Sequence, residues 1–214
     1  MDVLGDVVAR DRPSEIALRR ASRAGSYSYA KLRTNAWKAG NLLRHYGVRP
    51  GTHVDVVRPA AGPTPPVATG FFGATLVGAS VDPSPPRTVD GTALLAPATH
   101  VEDFDAAPGC SVLAYGDVPD DPAVSHYERE LWSENSTAPP GNVDPDATAL
   151  RTDGEAYSHA ALLSRARDVA ETRGFEPGAE VRAGTWNDPT SLIETLLAPL
   201  VAGATIRLDD EERP

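Results

Sequence analysis

Apolar residues recur at helical spacing twice along this chain, and the two stretches sit in matching surroundings. In the first, Leu32, Ala36, Ala39, Leu43 and Tyr46 fall three or four residues apart; in the second, Leu162, Ala166 and Val169 do the same. Each stretch follows Tyr-Ser-x-Ala-x-Leu, Tyr27 to Leu32 and Tyr157 to Leu162, with Ser28 and Ser158 placed to cap the first helical turn. Each ends at a glycine, Gly47 or Gly174, suited to a left-handed C-terminal residue. A Pro-Gly turn comes next, at Pro50 and Pro177. Short strands are then predicted at His53–Val57 and Glu180–Gly184, followed by proline-started helices at Pro66–Val77 and Pro189–Val201. Both helices close on Gly-Ala (Gly78-Ala79, Gly203-Ala204) before a last strand that runs to Asp82 or Asp209.

The chain therefore contains an internal repeat, with copies at 16–82 and 148–209, each opened by Ala-Leu-Arg and a turn. The order is hairpin, helix, strand, helix, strand. Such alternation predicts an α/β fold with mostly parallel strands, doubly wound with helices on both faces, as one sheet or as two packed side by side. Residues 1–214 are read as one domain. The segment 83–147 is rich in Pro, Asp and Gly and is expected to be loop-rich, with buried strands at Ala93–Ala96 and Val112–Tyr115 and a short helix at Ser125–Ser133.

Composition narrows the function. A formal charge of −10, with 30 acidic against 20 basic residues, disfavours nucleic acid and anionic membranes as partners. Only Lys31 and Lys38 are lysines, an acidic, lysine-poor balance of halophile type; a GC-rich genome would also favour Arg over Lys. No apolar run is long enough to span a bilayer, and Met1–Arg12, with Asp2, Asp6 and Asp11, has no signal-peptide pattern, so the expected location is the cytoplasm. Cys110 is the only cysteine; beside Val112–Ala114 it reads as a small core residue. No pair of the five histidines has zinc-ligand spacing, and no metal is expected.

Several ordered motifs resemble the N-terminal region of the acyl-adenylate-forming ligases: acyl-CoA synthetases, peptide-synthetase adenylation domains and luciferases. They are Tyr27–Leu32, Gly47–Val54, Phe71–Ala79, Ser158–Leu162 and Leu197–Thr205. The resemblance implies the AMP-binding fold. It also implies an ATP phosphate loop, rich in Ser, Thr and Gly and ending in Pro-Lys-Gly, just before Ser158-His159. Here only Arg151–Ala156 joins Leu150 to Tyr157, without lysine or a glycine-rich run, and Asp153-Gly154 is a hairpin-turn pair. The same hairpin role falls to Ser22–Ser26 in the first copy. At Trp186–Pro189, where relatives carry a histidine or an aromatic-rich stretch facing the acyl pocket, there is no histidine. The adenine segment, the ribose-binding Asp and the lid Lys of the family would lie beyond Pro214.

The expectation is a pseudoenzyme, a non-catalytic ligase homologue that binds or regulates, with no catalytic residue and no cofactor. The alternative is one subunit of a split ligase whose nucleotide-binding and lid parts come from another chain. A partner protein or a small acyl or aromatic ligand is expected past the C-terminal strand ends, near Arg58, Pro59, Gly184, Trp186 and Asn187. His159, at a helix start, either meets an anion there or is simply a partly exposed first-turn residue.

Overall fold

The computed structural model describes residues 1–9, 15–20, 25–152 and 154–208. Asp153, most of the first turn (21–24) and the repeat end at Asp209 lie outside them.

The first copy comprises β1 (Ile16–Arg19), β2 (Tyr27–Ser28), α2 (Tyr29–His45), β3 (His53–Val56), α3 (Pro65–Leu76) and β4 (Ser80–Asp82). The second comprises β10 (Thr148–Thr152), β11 (Glu155–Ser158), α5 (His159–Thr172) and β12 (Glu180–Arg182), then a helix built as α6 (Pro189–Leu192), a π-helical turn at Ile193–Leu197 and α7 (Ala198–Ala202), and finally β13 (Thr205–Arg207). The predicted order holds in both. Ser28 and Ser158 accept the backbone N–H of Lys31 and Ala161 at 3.1 and 3.2 Å, as N-caps should.

The copies do not form a sheet each; they exchange hairpins. In the smaller, four-stranded sheet the order is β12-β13-β1-β2, so the first hairpin lies against the second copy's strand pair. In the larger sheet β11-β10 lies against β4-β3. The two junctions are equivalent: Leu18 pairs with Ile206, and Leu150 with Val81, both in parallel. Each hairpin is the antiparallel exception in a sheet otherwise parallel. The buried apolar side chains of both copies belong to one cluster, running from Leu18 and Leu32 through Phe72 and Val81 to Leu162, Leu200 and Ile206.

The connecting segment carries the two strands and the short helix expected within it, and further order that its composition did not imply. It adds β6 (Ala93–Pro97), β8 (Ser111–Tyr115) and β9 (Ser125–His126) to the far side of β3, making seven strands, followed by α4 (Tyr127–Ser133). A small ribbon of β5 (Thr88–Val89) with β7 (Asp105–Ala106) and a 3-10 helix, Ala98–Asp103, cover the second face of β6 and β8. The physical reason is that parallel strands need crossovers, which spend polar residues on connections while the strands themselves stay apolar. A further helix, α1 (Gly5–Ala9), lies in the N-terminal stretch given no element above. Its Leu4, Val7 and Val8 are buried.

Close packing of α2 on α3 depends on two glycines. A Cβ on Gly73 would lie 2.9 Å from backbone atoms of Ala39 and Gly40, and one on Gly40 would lie 3.1 Å from the carbonyl oxygen of Gly73. Gly70 instead faces the sheet, where a Cβ would meet only the Leu95 methyl group at 2.4 Å. Alanine gains about 1 kcal/mol over glycine inside a helix, whereas overpacking a rigid core costs roughly 1–3 kcal/mol. Gly73→Ala is therefore expected to lower the urea midpoint clearly, while Gly70→Ala, where a leucine tip can turn away, stays near wild type. Equal midpoints for the two variants would contradict this account of the helix pair.

Candidate functional site

Strand order places the reversal of chain direction between β3 and β6, since β4 lies on one side of β3 and the later strands on the other. Ligands of open α/β sheets bind outside the C-terminal strand ends at such a point. Two grooves open there. One, of about 350 Å³, is bordered by Pro59, Thr64, Pro97, Thr99, Asp117 and Glu128. The other, of about 300 Å³, is bordered by Val57, Arg58, Pro83, His100, Phe104 and Asn187.

The site residues expected from sequence are thus divided. Arg58 and Asn187 share the second groove, and Pro59 borders the first. The Arg58 guanidinium donates through Nη1 to the carbonyls of Pro59 (2.8 Å) and Ala60 (3.3 Å), while its Nε is buried without an acceptor among the described residues. His100, on the same groove, is held by Asp103 at 3.1 Å.

Trp186 and Gly184 serve packing. Trp186 is only 2 % exposed and is the one non-glycine among the described residues at positive φ (54°). Such a conformation costs on the order of 1–3 kcal/mol and persists only where neighbours over-determine it. Here they do. Ser191 Oγ accepts the N–H of Thr185 and of Trp186 at 2.9 and 3.2 Å, and Thr195 Oγ1 accepts Gly184 N and the indole Nε1 at 2.8 and 3.0 Å. Thr195 belongs to the π-helical turn and donates back to the Ser191 carbonyl at 2.7 Å. A side chain at Gly184 would collide with Ser191 Oγ at 2.4 Å. Trp186 lines, with Val56, Val67 and Phe71 of the first copy, a void of only about 10 Å³ between the copies.

His159 is remote from these grooves in its contacts and is not partly exposed. It is the first residue of α5 and fully buried, with Nδ1 accepting Leu4 N at 3.2 Å. The N-terminal segment, which carried no signal for this contact, covers it. Burial pushes the imidazole down to about 4.

Between Leu150 and Tyr157, where the motif resemblance led to the expectation of a plain turn, β10 and β11 form a tight hairpin. Thr152 pairs with Glu155, so two residues make the connection, with Gly154 at φ 80°. Glu155 is held by the Tyr157 hydroxyl, and Arg151 Nε donates to Ser80 Oγ at 3.1 Å.

Asp55 was not singled out from sequence, although an acid inside His-Val-Asp-Val-Val is a visible anomaly. It is 3 % exposed in the middle of β3, in register with Asp82 on β4, with Gly91 close above it. Burial, opposed by His53 and reinforced by Asp82, pushes its carboxyl up to about 6. Cys110, half-buried near it, is pushed up to about 11 by burial, which suits a core thiol and not a nucleophile. Among the described residues no group of three or more His, Cys, Asp and Glu could hold a metal, and no helix is long and apolar enough to cross a membrane.

No protein-family model and no curated protein sequence matches the chain. Solved structures do. A benzoate CoA ligase from Burkholderia xenovorans LB400 superposes with a TM-score of 0.75 at 19% identity, over 97% of this chain and 45% of the ligase. A Mycobacterium tuberculosis fatty acyl CoA synthetase gives 0.78 at 15% identity, over 100% and 46%. The anthranilate CoA ligase AuaEII, in complex with anthranoyl-AMP, gives 0.77 at 15% identity, over 96% and 44%. The chain thus has the fold of part of the large N-terminal domain of these ligases, as its motifs implied, and spans less than half the length of each of the three.

Asp55 and His159 make opposite contributions to acid stability. The folded state holds the Asp55 proton up to about pH 6 and the unfolded chain only to about 3.8, so its ionisation costs stability as pH rises through that interval. His159 stays neutral down to about pH 4 when folded but protonates near 6.5 when unfolded, so stability is lost as pH falls between those values. Asp55→Asn is expected to raise the urea midpoint at pH 7, with the gain shrinking to nothing below pH 4. Denaturant titrations across pH 3.5 to 8 measure it, and a gain independent of pH would refute the assignment.

Proposed function

We propose that this chain is a non-adenylating relative of the acyl-adenylate-forming ligases that binds a small acyl or aryl acid. The observation that carries the reading is the Thr152–Glu155 pairing, which leaves two residues where a phosphate loop would have to surround a polyphosphate. The flanking charges are also committed, Glu155 to Tyr157 and Arg151 to Ser80. Electrostatic stabilisation of a transferring phosphoryl group needs donors gathered around it, and a tight hairpin supplies none of that cradle.

The groove beside Arg58 suits the acid. Val57, Pro83 and Phe104 give it an apolar wall, and the guanidinium, oriented by two backbone carbonyls, gives it a cation with a buried N–H in need of an acceptor. Titration calorimetry is expected to give no heat with ATP and Mg²⁺, and measurable binding of benzoate or octanoate that weakens about tenfold or more in Arg58→Ala. Micromolar affinity for ATP would overturn the non-adenylating reading; equal acid binding by both proteins would overturn the groove.

A second reading is a subunit of a split ligase. It requires a companion polypeptide that restores ATP binding in the mixture, so isolation of the native protein without any companion would remove it.

A further inference from the structure

The second face of the larger sheet carries a small apolar cluster separate from the main core. Val89, Leu94 and Ala96 form it, and Val57, Phe104 and Cys110 pack against them. The layer over this cluster is thin. Its ribbon has only two paired positions, Thr88 with Asp105 and Val89 with Ala106, and a 3-10 helix of six residues lies beside it. A layer with so few buried apolar contacts belongs to the low-stability end of a fold. Its Phe104, with Val57 of the sheet, is also apolar wall of the groove beside Arg58.

A carboxyl lies beneath this layer. Side chains alternate faces along a strand, so Asp55 shares the face of Val57 and of Leu94, its register partner on β6. It is 3 % exposed, and its Oδ2 is buried with no hydrogen-bond partner. Gly91, in the connection from β5 to β6, donates its N–H to the carboxyl and closes over it, so that a Cβ there would lie 2.5 Å from Oδ2. The titratable groups around it are His53 on the same strand, Asp82 on β4, Asp90 beside Gly91, and Cys110 ahead of β8. Among these only His53 can carry a positive charge, and its Nε2 is engaged by Asp90 at 3.3 Å. Asp82 and Asp90 oppose a further negative charge. A carboxylate buried there has neither a donor for its second oxygen nor a counter-charge of its own.

We propose that Asp55 is a pH-sensitive latch on the wall of the Arg58 groove: its neutral carboxyl lets the ribbon layer pack on the sheet, and its carboxylate loosens that layer. The effect on ligand binding rests on the groove being the acid site proposed above; the latch itself does not. The unpaired charge supplies the driving force, and the layer is the part able to yield. Gly91 belongs to the connection that leads out of the ribbon, whereas β4 and β6 hold Asp55 on both sides within the main sheet. Opening the layer admits water to the buried oxygen. The folded carboxyl keeps its proton up to about pH 6 and a hydrated one only to about 3.8, so opening grows as pH rises between those values and levels off above them.

Amide hydrogen exchange of the full chain, corrected for the intrinsic pH dependence of exchange, tests this. From about pH 4 to about pH 7 the opening of segments 83–92 and 98–110 is expected to grow about tenfold or more relative to α2 and α3. Asp55→Asn is expected to keep the layer closed throughout. Benzoate binding should weaken over the same range more steeply in wild type than in Asp55→Asn, since the contribution of His100 on the groove is common to both. A layer whose opening does not change with pH, a change equal in Asp55→Asn, or one shared by α2 and α3 would overturn the latch. Absence of benzoate binding at every pH would remove the acid-binding reading alone, with exchange still deciding the latch. Should Asp55→Asn fail to melt cooperatively, Asp55→Ser, smaller and equally uncharged, takes its place.

Discussion

Everything in this fold rests on the exchange of hairpins between the two repeat copies. Leu18 beside Ile206 and Leu150 beside Val81 are long-range parallel pairings, and neither copy completes a sheet without the other. Side chains secure the joints. The Tyr29 hydroxyl donates to Ala204 O at 2.8 Å, and Thr205 Oγ1 donates to Ile16 O at 2.7 Å, tying the first copy's hairpin to the second copy's last strand. At the other joint Arg151 reaches Ser80. His159 holds the position equivalent to Tyr29, but turns its Nδ1 to the N-terminal segment instead. Pairings so distant in sequence repay their chain entropy late, so the two halves are expected to unfold as one cooperative unit.

The interlock also shapes the region where ligands would bind. Where the copies meet, Trp186 is wedged into an apolar space that it nearly fills, in a backbone conformation maintained by Ser191 and Thr195. Packing density there leaves no room for a second occupant. The two grooves at the strand ends border the first copy, where the connecting segment supplies loops and a 3-10 helix as walls.

Much of this was legible in the chain. Ser28 and Ser158, the terminal glycines and the proline-started helices marked element boundaries because they satisfy local backbone demands, which depend on a few neighbouring residues. The hairpin at Asp153-Gly154 was legible for the same reason, as was its shortness. Arg58, Pro59 and Asn187 fell at strand ends as the strand pattern required, yet sequence could not show that Trp186 would turn into the core while Arg58 and Asn187 border a groove. That choice rests on Ser191 and Thr195 reaching back across a turn. Asp55 could be noticed as an acid among valines, but its titration depends on Asp82 and Gly91 from neighbouring strands and a connection.

The sequence by itself determined the order of elements, the repeat, the mostly parallel α/β character and the tight turn between Leu150 and Tyr157, since each is written in residues close together along the chain. The tertiary structure alone decided which strand lies beside which. Either copy's hairpin offers the same alternating pattern and the same Ala-Leu-Arg strand, so local chemistry does not distinguish its own strand pair from its twin's. The exchange and the burial of His159 beneath Leu4 both follow from packing between segments far apart along the chain. No periodicity within a single segment encodes them.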